Sequence, residues 1–156
     1  MSRRRKAEKR KIPPDPIYNN ANIAKFINCL MKKGKKSLAQ KIVYQALELF
    51  AKKVKIDNPM KAFEQALENA KPSLQVKSRR IGGATYQVPM EVPPNKKLYL
   101  ATRWIIQNAK SKKGKSMLDG LILELTDCYN NQGATIKKKE ELHKMAEANK
   151  AFAHYK

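Results

Sequence analysis

Most of the chain repeats apolar residues at intervals of three and four, the spacing that lines one side of an α-helix. Ile23, Phe26, Ile27, Leu30 and Met31 make the first such stripe, with Asn20 or a neighbour placed to cap it and Gly34 to end it. A second helix is expected over about residues 37 to 54, burying Ile42, Val43, Ala46, Leu47 and Phe50. Asn58-Pro59, an N-cap followed by proline in the first turn, starts a third; Met60, Phe63, Leu67 and Ala70 face inward and Pro72 closes it. Pro93-Pro94-Asn95 opens a fourth that runs to about Lys112. Its stripe of Leu98, Ala101, Ile105 and Ala109 is joined by Tyr99, Leu100, Trp104 and Ile106 off the stripe, so this helix is expected to be central. Ser116 with Asp119 fits a capping box for a fifth helix, with Leu118, Leu121, Ile122, Leu125 and Cys128 inward and Gly133 at its end. Residues 135 to 153 make a last helix that is thin in apolar residues, expected to pack loosely and reach outward.

Between the third and fourth helices the period changes from helical to two. Residues 73 to 91 alternate apolar and polar positions and break at Gly82-Gly83, which predicts a β-hairpin. A two-residue Gly-Gly loop would set Lys77 across from Val88 and Arg79 across from Tyr86. A three-residue loop, Ile81-Gly82-Gly83, pairs Val76 with Val88 and Leu74 with Met90, and gathers Gln75, Lys77, Arg79, Thr85 and Gln87 on the other face. The second register separates apolar from polar residues and is the one expected. An isolated two-stranded ribbon is barely stable in water, so this finger must lean on the helical body or on a partner.

The expected fold is thus mainly α: a single domain of about six helices with a protruding two-stranded antiparallel hairpin between helices 3 and 4. Residues 1 to 16 are basic and then punctuated by Pro13, Pro14 and Pro16, which reads as an extended arm preceding a domain over residues 17 to 156.

Charge then says what the surface is for. Among 156 residues there are 34 Lys and Arg against 13 Asp and Glu, a net charge of +21. Self-repulsion on that scale opposes folding and calls for a polyanion. No acid lies between Asp15 and Glu48, between Glu68 and Glu91, or between Glu91 and Asp119. The cations gather in five places. The arm holds Arg3, Arg4, Arg5, Lys6, Arg10 and Lys11; the corners around Gly34 and Gly114 hold Lys35 and Lys36, and Lys110, Lys112, Lys113 and Lys115. The finger holds Lys77, Arg79 and Arg80, and the last helix starts with Lys137 and Lys138. Only seven of the 34 cations are Arg, and two of these stand together near the finger tip, where a planar fork suits phosphate.

Catalytic chemistry is missing from the pattern. His143 and His154 have no cysteine or carboxylate at metal-ligand spacing, and each reads as a surface polar residue or a nucleic-acid contact. Gly82-Gly83 and Gly34-Lys35-Lys36-Ser37 both lack the rest of a phosphate-binding loop. Cys29 and Cys128 fall on apolar stripes and read as buried free thiols. No cofactor and no small-molecule substrate are expected. No apolar run is long enough to span a membrane, and a soluble protein is expected. A surface this basic would also serve a DNA-compacting protein, which would need a wedge at the ribbon tip, or a nucleic-acid-processing enzyme with a histidine base.

Several motifs, in order along the chain, carry a resemblance: Arg3-Arg4-Arg5, Pro14-Asp15-Pro16, Gly34-Lys35-Lys36-Ser37, Ala66-Leu67-Glu68-Asn69, Val76-Lys77-Ser78-Arg79-Arg80-Ile81-Gly82-Gly83, Arg103-Trp104-Ile105, and the run from Met145 to Tyr155. With them the chain resembles the small-subunit ribosomal protein seven family, bacterial and organellar type. Gln75, where that family commonly has Glu, and Pro93-Pro94-Asn95, in place of a more basic stretch, are departures at the base of the finger. The resemblance implies binding to the 3′ major domain of small-subunit ribosomal RNA and organisation of the subunit head, beside neighbouring ribosomal proteins. It also implies that the finger tip (Ile81, Gly82, Gly83, Ala84, Thr85) and the C-terminal segment (Met145, Asn149, Phe152, His154, Tyr155) lie near exit-site transfer RNA and the messenger path. That aromatic end is suited to packing on the body as well as to touching RNA or a neighbour. The ribosome of a bacterial cytoplasm or of a plastid stroma is the implied location.

Overall fold

The structure is a computed structural model and describes residues 12 to 155. Its elements are α1 (Ala21–Leu30), α2 (Lys36–Val54), α3 (Pro59–Ala70), β1 (Leu74–Ile81), β2 (Ala84–Glu91), α4 (Pro94–Ser111), α5 (Met117–Tyr129) and α6 (Gly133–Ala148), followed by a 3-10 segment, Lys150–Tyr155. The mainly α domain with one inserted hairpin is as expected.

The helices begin where their caps are. The Asn20 side chain accepts from the Asn22 N–H, Asn58 accepts from Met60 and Lys61, and Ser116 accepts from Asp119. The core forms where the apolar stripes meet. Phe26 of α1 meets Phe63 of α3 edge to face with ring centroids 5.3 Å apart, and Phe50, Leu47, Ile105, Leu121 and Leu125 are fully buried around them. α3 touches α2, α4, α5 and α6, so it shares the centre with α4, which touches α1, α3, α5 and α6, and α5, which touches α2, α3, α4 and α6. Of these, α4 and α5 are joined by a short corner. They cross closely: a Cβ at Gly120 would collide with the Ala109 carbonyl oxygen. The corner between them, residues 112–116, is therefore carried on a tight joint.

Three expectations about the last helix need correction. Gly133 does not end α5; the chain turns through Asn130 to Gln132, with Asn131 in the left-handed region at φ 56°, and Gly133 is the first residue of α6. α6 then stops at Ala148, and the stretch expected to continue it winds more tightly as a 3-10 segment. Nor is α6 loose. The Ser73 N–H donates to His143 Nε2 at 3.0 Å, Lys139 Nζ donates to the Asn69 carbonyl at 2.7 Å, and Thr135, Ile136 and Ala146 are buried. Polar ties supply what its sparse apolar face does not.

Cys128 is buried as expected, but Cys29 is exposed. It sits one position off the stripe of Ile23, Phe26, Ile27 and Leu30, and a 100° step carries it past the edge of the core.

Among the described residues, no helix is long and apolar enough to cross a membrane.

Candidate nucleic-acid interface

The finger has the register that sequence reasoning rejected. Ile81 pairs with Ala84, Arg79 with Tyr86 and Lys77 with Val88, so the loop is Gly82-Gly83 alone. Both glycines have positive φ, 56° and 89°, as a type I′ turn demands, and its twist matches that of the strands. The expected segregation of faces fails because the base of the ribbon has no solvated side. Val88 and its neighbour Pro89 point to opposite faces and both are buried. Arg79 therefore shares a face with Lys77, Tyr86 and Val88, and Arg80 shares the other with Ser78, Thr85 and Gln87. Arg80 is exposed and Arg79 half-buried. Ile81, Gly82, Gly83, Ala84 and Thr85 form an exposed tip.

The aromatic end of the chain packs on this ribbon. The rings of Phe152 and Tyr155 each lie 5.3 Å from that of Tyr86, and His154 lies against Tyr155 at 3.9 Å. Met145 and His154 are exposed, and the Asn149 side chain is turned back to donate to the Met145 carbonyl at 2.8 Å.

The two lysine corners lie side by side. Each carries a glycine at positive φ, Gly34 at 73° and Gly114 at 72°, that turns the chain between two helices packed on each other. Lys32 at the end of α1 meets Lys110 at the end of α4, and the contact with that ammonium and its charge holds Lys32 below its ordinary pKa. Lys35, Lys36, Lys110, Lys113 and Lys115 are exposed there. Lys112 is different. Its Nζ is 3.0 Å from Glu124 Oε2 and 3.0 Å from Asp127 Oδ2. Burial pulls its pKa down, but the hydrogen bonds and charges of those two carboxylates outweigh it and hold the ammonium above its ordinary value. Lys112, expected in the RNA-facing set, is thus committed to an internal ion cluster.

Sequence reasoning missed that cluster. Glu124 is fully buried, and its Oε1 accepts from the Thr135 N–H at 3.0 Å and the Thr135 hydroxyl at 2.6 Å. Gln132 offers no side-chain cap to α6, so a carboxylate from α5 does the capping from outside the helix. The signal was a glutamate on the stripe of Leu121, Leu125 and Cys128. Asp15 was missed in the same way. It is buried within the proline-rich segment, accepts from the N–H groups of Ile17 and Tyr18, and takes a 2.6 Å hydrogen bond from the Tyr44 hydroxyl. Burial and this bond push the Tyr44 pKa up to about 12. Asn69 likewise joins α3 to the end of α5 by donating to the carbonyls of Cys128 and Tyr129.

On α6, Lys137 and Lys138 are exposed, with Lys138 Nζ 5.9 Å above the Trp104 ring. Arg3, Arg4, Arg5, Lys6, Arg10 and Lys11 lie outside the described residues.

A helical domain whose outward cations gather at adjoining interhelical corners and along a braced finger belongs to the class of basic nucleic-acid-binding proteins. Comparison with known sequences narrows that class. A family model described as ribosomal protein S7p/S5e matches residues 2–150. Small ribosomal subunit protein uS7 of Protochlamydia amoebophila is 64% identical over 156 residues, covering 100% of this chain and 99% of that protein. The proteins of the same name from Chlamydia trachomatis serovar L2 and Chlamydia abortus are 62% and 64% identical with the same coverage. The chain belongs to the ribosomal protein S7p/S5e family, which is a family of ribosomal proteins and not of enzymes.

Proposed function

We propose that this chain is a structural constituent of the small ribosomal subunit that binds the 3′ major domain of its RNA and organises the subunit head. The observation that carries the reading is the meeting of two acid-free lysine corners, far apart in sequence, at Lys32 and Lys110. RNA helices that repel one another when bare can be held at one junction by such a surface, which neutralises phosphates from more than one of them. Folded RNA of this kind is read largely through shape, backbone and 2′-hydroxyls. The finger tip from Arg80 to Thr85, and the segment from Met145 to Tyr155 that braces it, are proposed to lie near exit-site transfer RNA and the messenger path, with other small-subunit proteins alongside. The kinship with chlamydial proteins supports a bacterial cytoplasm over a plastid.

The test is binding of the full chain to a transcript of the 3′ major domain across a salt series, with duplex DNA and an unrelated folded RNA as competitors. Tight binding that resists both competitors, and weakens by orders of magnitude as salt rises, is expected. Equal affinity for all three polyanions would overturn the site-specific reading in favour of non-specific compaction.

A further inference from the structure

Between the two lysine corners lies a groove that phosphate clamping alone leaves unused. It has a volume of about 340 Å³; Leu38, Ile42, Ile106 and Met117 line it, and Lys32, Lys35 and Lys110 stand around it. Leu38, in the first turn of α2, is 52% exposed, an apolar side chain left to water beside an apolar trough. The groove's residues come from two stretches without an acid, one inside the interval from Asp15 to Glu48 and the other inside that from Glu91 to Asp119. Lys32 and Lys110 converge there with no carboxylate on the groove, an arrangement that opposes its own charge until an anion lies between the two ammonium groups.

We propose that this groove takes one unpaired nucleotide of the RNA, with its base laid on Leu38, Ile42 and Ile106 and its phosphate held between Lys32 and Lys110. A nucleotide carries an apolar face and an anion on one compact frame, which is the pairing of surfaces the groove offers. A base within a duplex has its faces covered by its neighbours, so the occupant comes from a loop, bulge or junction strand. An acidic peptide with an apolar anchor would satisfy the groove as well. The exposed cations continue past it on both corners, through Lys36 on one side and Lys113 and Lys115 on the other, and that continuity fits a backbone charged at every residue better than a short acidic flank. The inference rests on the RNA binding proposed above and adds that one corner contact is made to a base.

Cys29 makes this testable without engineering, because it is exposed on the groove wall while Cys128 is fully buried, with its thiol pushed up to about 12. The full chain is treated with a small maleimide, free and bound to the 3′ major domain transcript, at mildly alkaline pH, since burial also raises the Cys29 thiol. Protection of Cys29 in the complex is expected. A photoactivatable group attached to Cys29 should cross-link to one unpaired nucleotide. Leu38→Glu should weaken binding by roughly tenfold, the scale of a lost base-stacking contact. Leu38→Met should keep it, and circular dichroism should show both variants folded. Tight binding with Cys29 still fully reactive, or with Leu38→Glu neutral, would overturn the groove inference and leave the proposed function standing. Cross-linking to a protein in an assembled subunit would replace the nucleotide by a peptide. Failure of the unmodified chain to bind the transcript would overturn both readings.

Discussion

Lys112 Nζ stands 3.0 Å from Glu124 Oε2, and through the other oxygen of that carboxylate it is linked to the first turn of α6 at Thr135. One buried charge therefore fixes the cationic corner and the last helix to the same point on α5. A buried pair is a poor source of net stability, yet removing one partner leaves the other uncompensated. Glu124→Ala should cost about 3 kcal/mol in urea unfolding, and it should increase hydrogen exchange at the Thr135 amide. Glu124→Gln keeps an acceptor for Thr135 and should cost less.

Gly120 is where α5 presses on α4, and the Ala109 carbonyl cannot move without shifting the α4 backbone. Gly120→Ala should destabilise the domain by about 2 kcal/mol and widen the joint that carries residues 112–116. The check is a lowered denaturation midpoint together with weaker RNA binding at unchanged helical content.

His143 gives stability a pH dependence. Burial first, and the Lys139 charge second, lower its pKa from the ordinary 6.5, and its neutral Nε2 accepts from the Ser73 N–H. The unfolded chain thus takes up this proton before the folded one does. The contribution is fully present above about pH 6.5 and declines as pH falls through the folded-state value. Urea midpoints should drop between about pH 7.5 and about pH 5.5. His143→Phe should lower the midpoint at the upper pH and flatten that part of the profile.

Arg79 and Arg80 point to opposite faces of the ribbon, so one flat RNA surface cannot engage both alike. Arg80→Ala should weaken transcript binding and reduce the salt slope by about one. Replacing both with Ala should weaken binding or subunit assembly further while leaving helical content intact. Unchanged binding and assembly for the double variant would remove the finger from the interface.

The places where the sequence was legible and where it was not differ in physical kind. Asn20, Asn58-Pro59 and Ser116 act locally, through side-chain bonds two or three residues on, and they mark helix starts without reference to the rest of the fold. The hairpin's position was legible for the same reason, since Gly82-Gly83 is a local signal. Its register was not. Alternation decides a register only when one face is wet, and the burial of both Val88 and Pro89 removes that premise; the backbone preference of two glycines for positive φ was the better guide. Of the candidate site, the exposed lysines were read from charge alone. The roles of Lys112, Glu124 and Asp15 depend on partners 11 to 29 residues distant, which no local pattern announces. Glu124 and Asp15 were visible only as acids where none was expected, one on an apolar stripe and one in a basic proline-rich run.

The clasp of Tyr86 by Phe152 and Tyr155, with the bond from Ser73 to His143 seventy residues on, sets an order of events during synthesis. Helices α1 to α3 can begin to pack as they emerge, since α2 touches both of its neighbours in the chain, and α4 and α5 then complete their core. The ribbon cannot, since its brace is made long after it. A nascent chain therefore carries an unfinished arginine finger until α6 and the 3-10 segment are out, and the ribbon becomes rigid only when synthesis is nearly over.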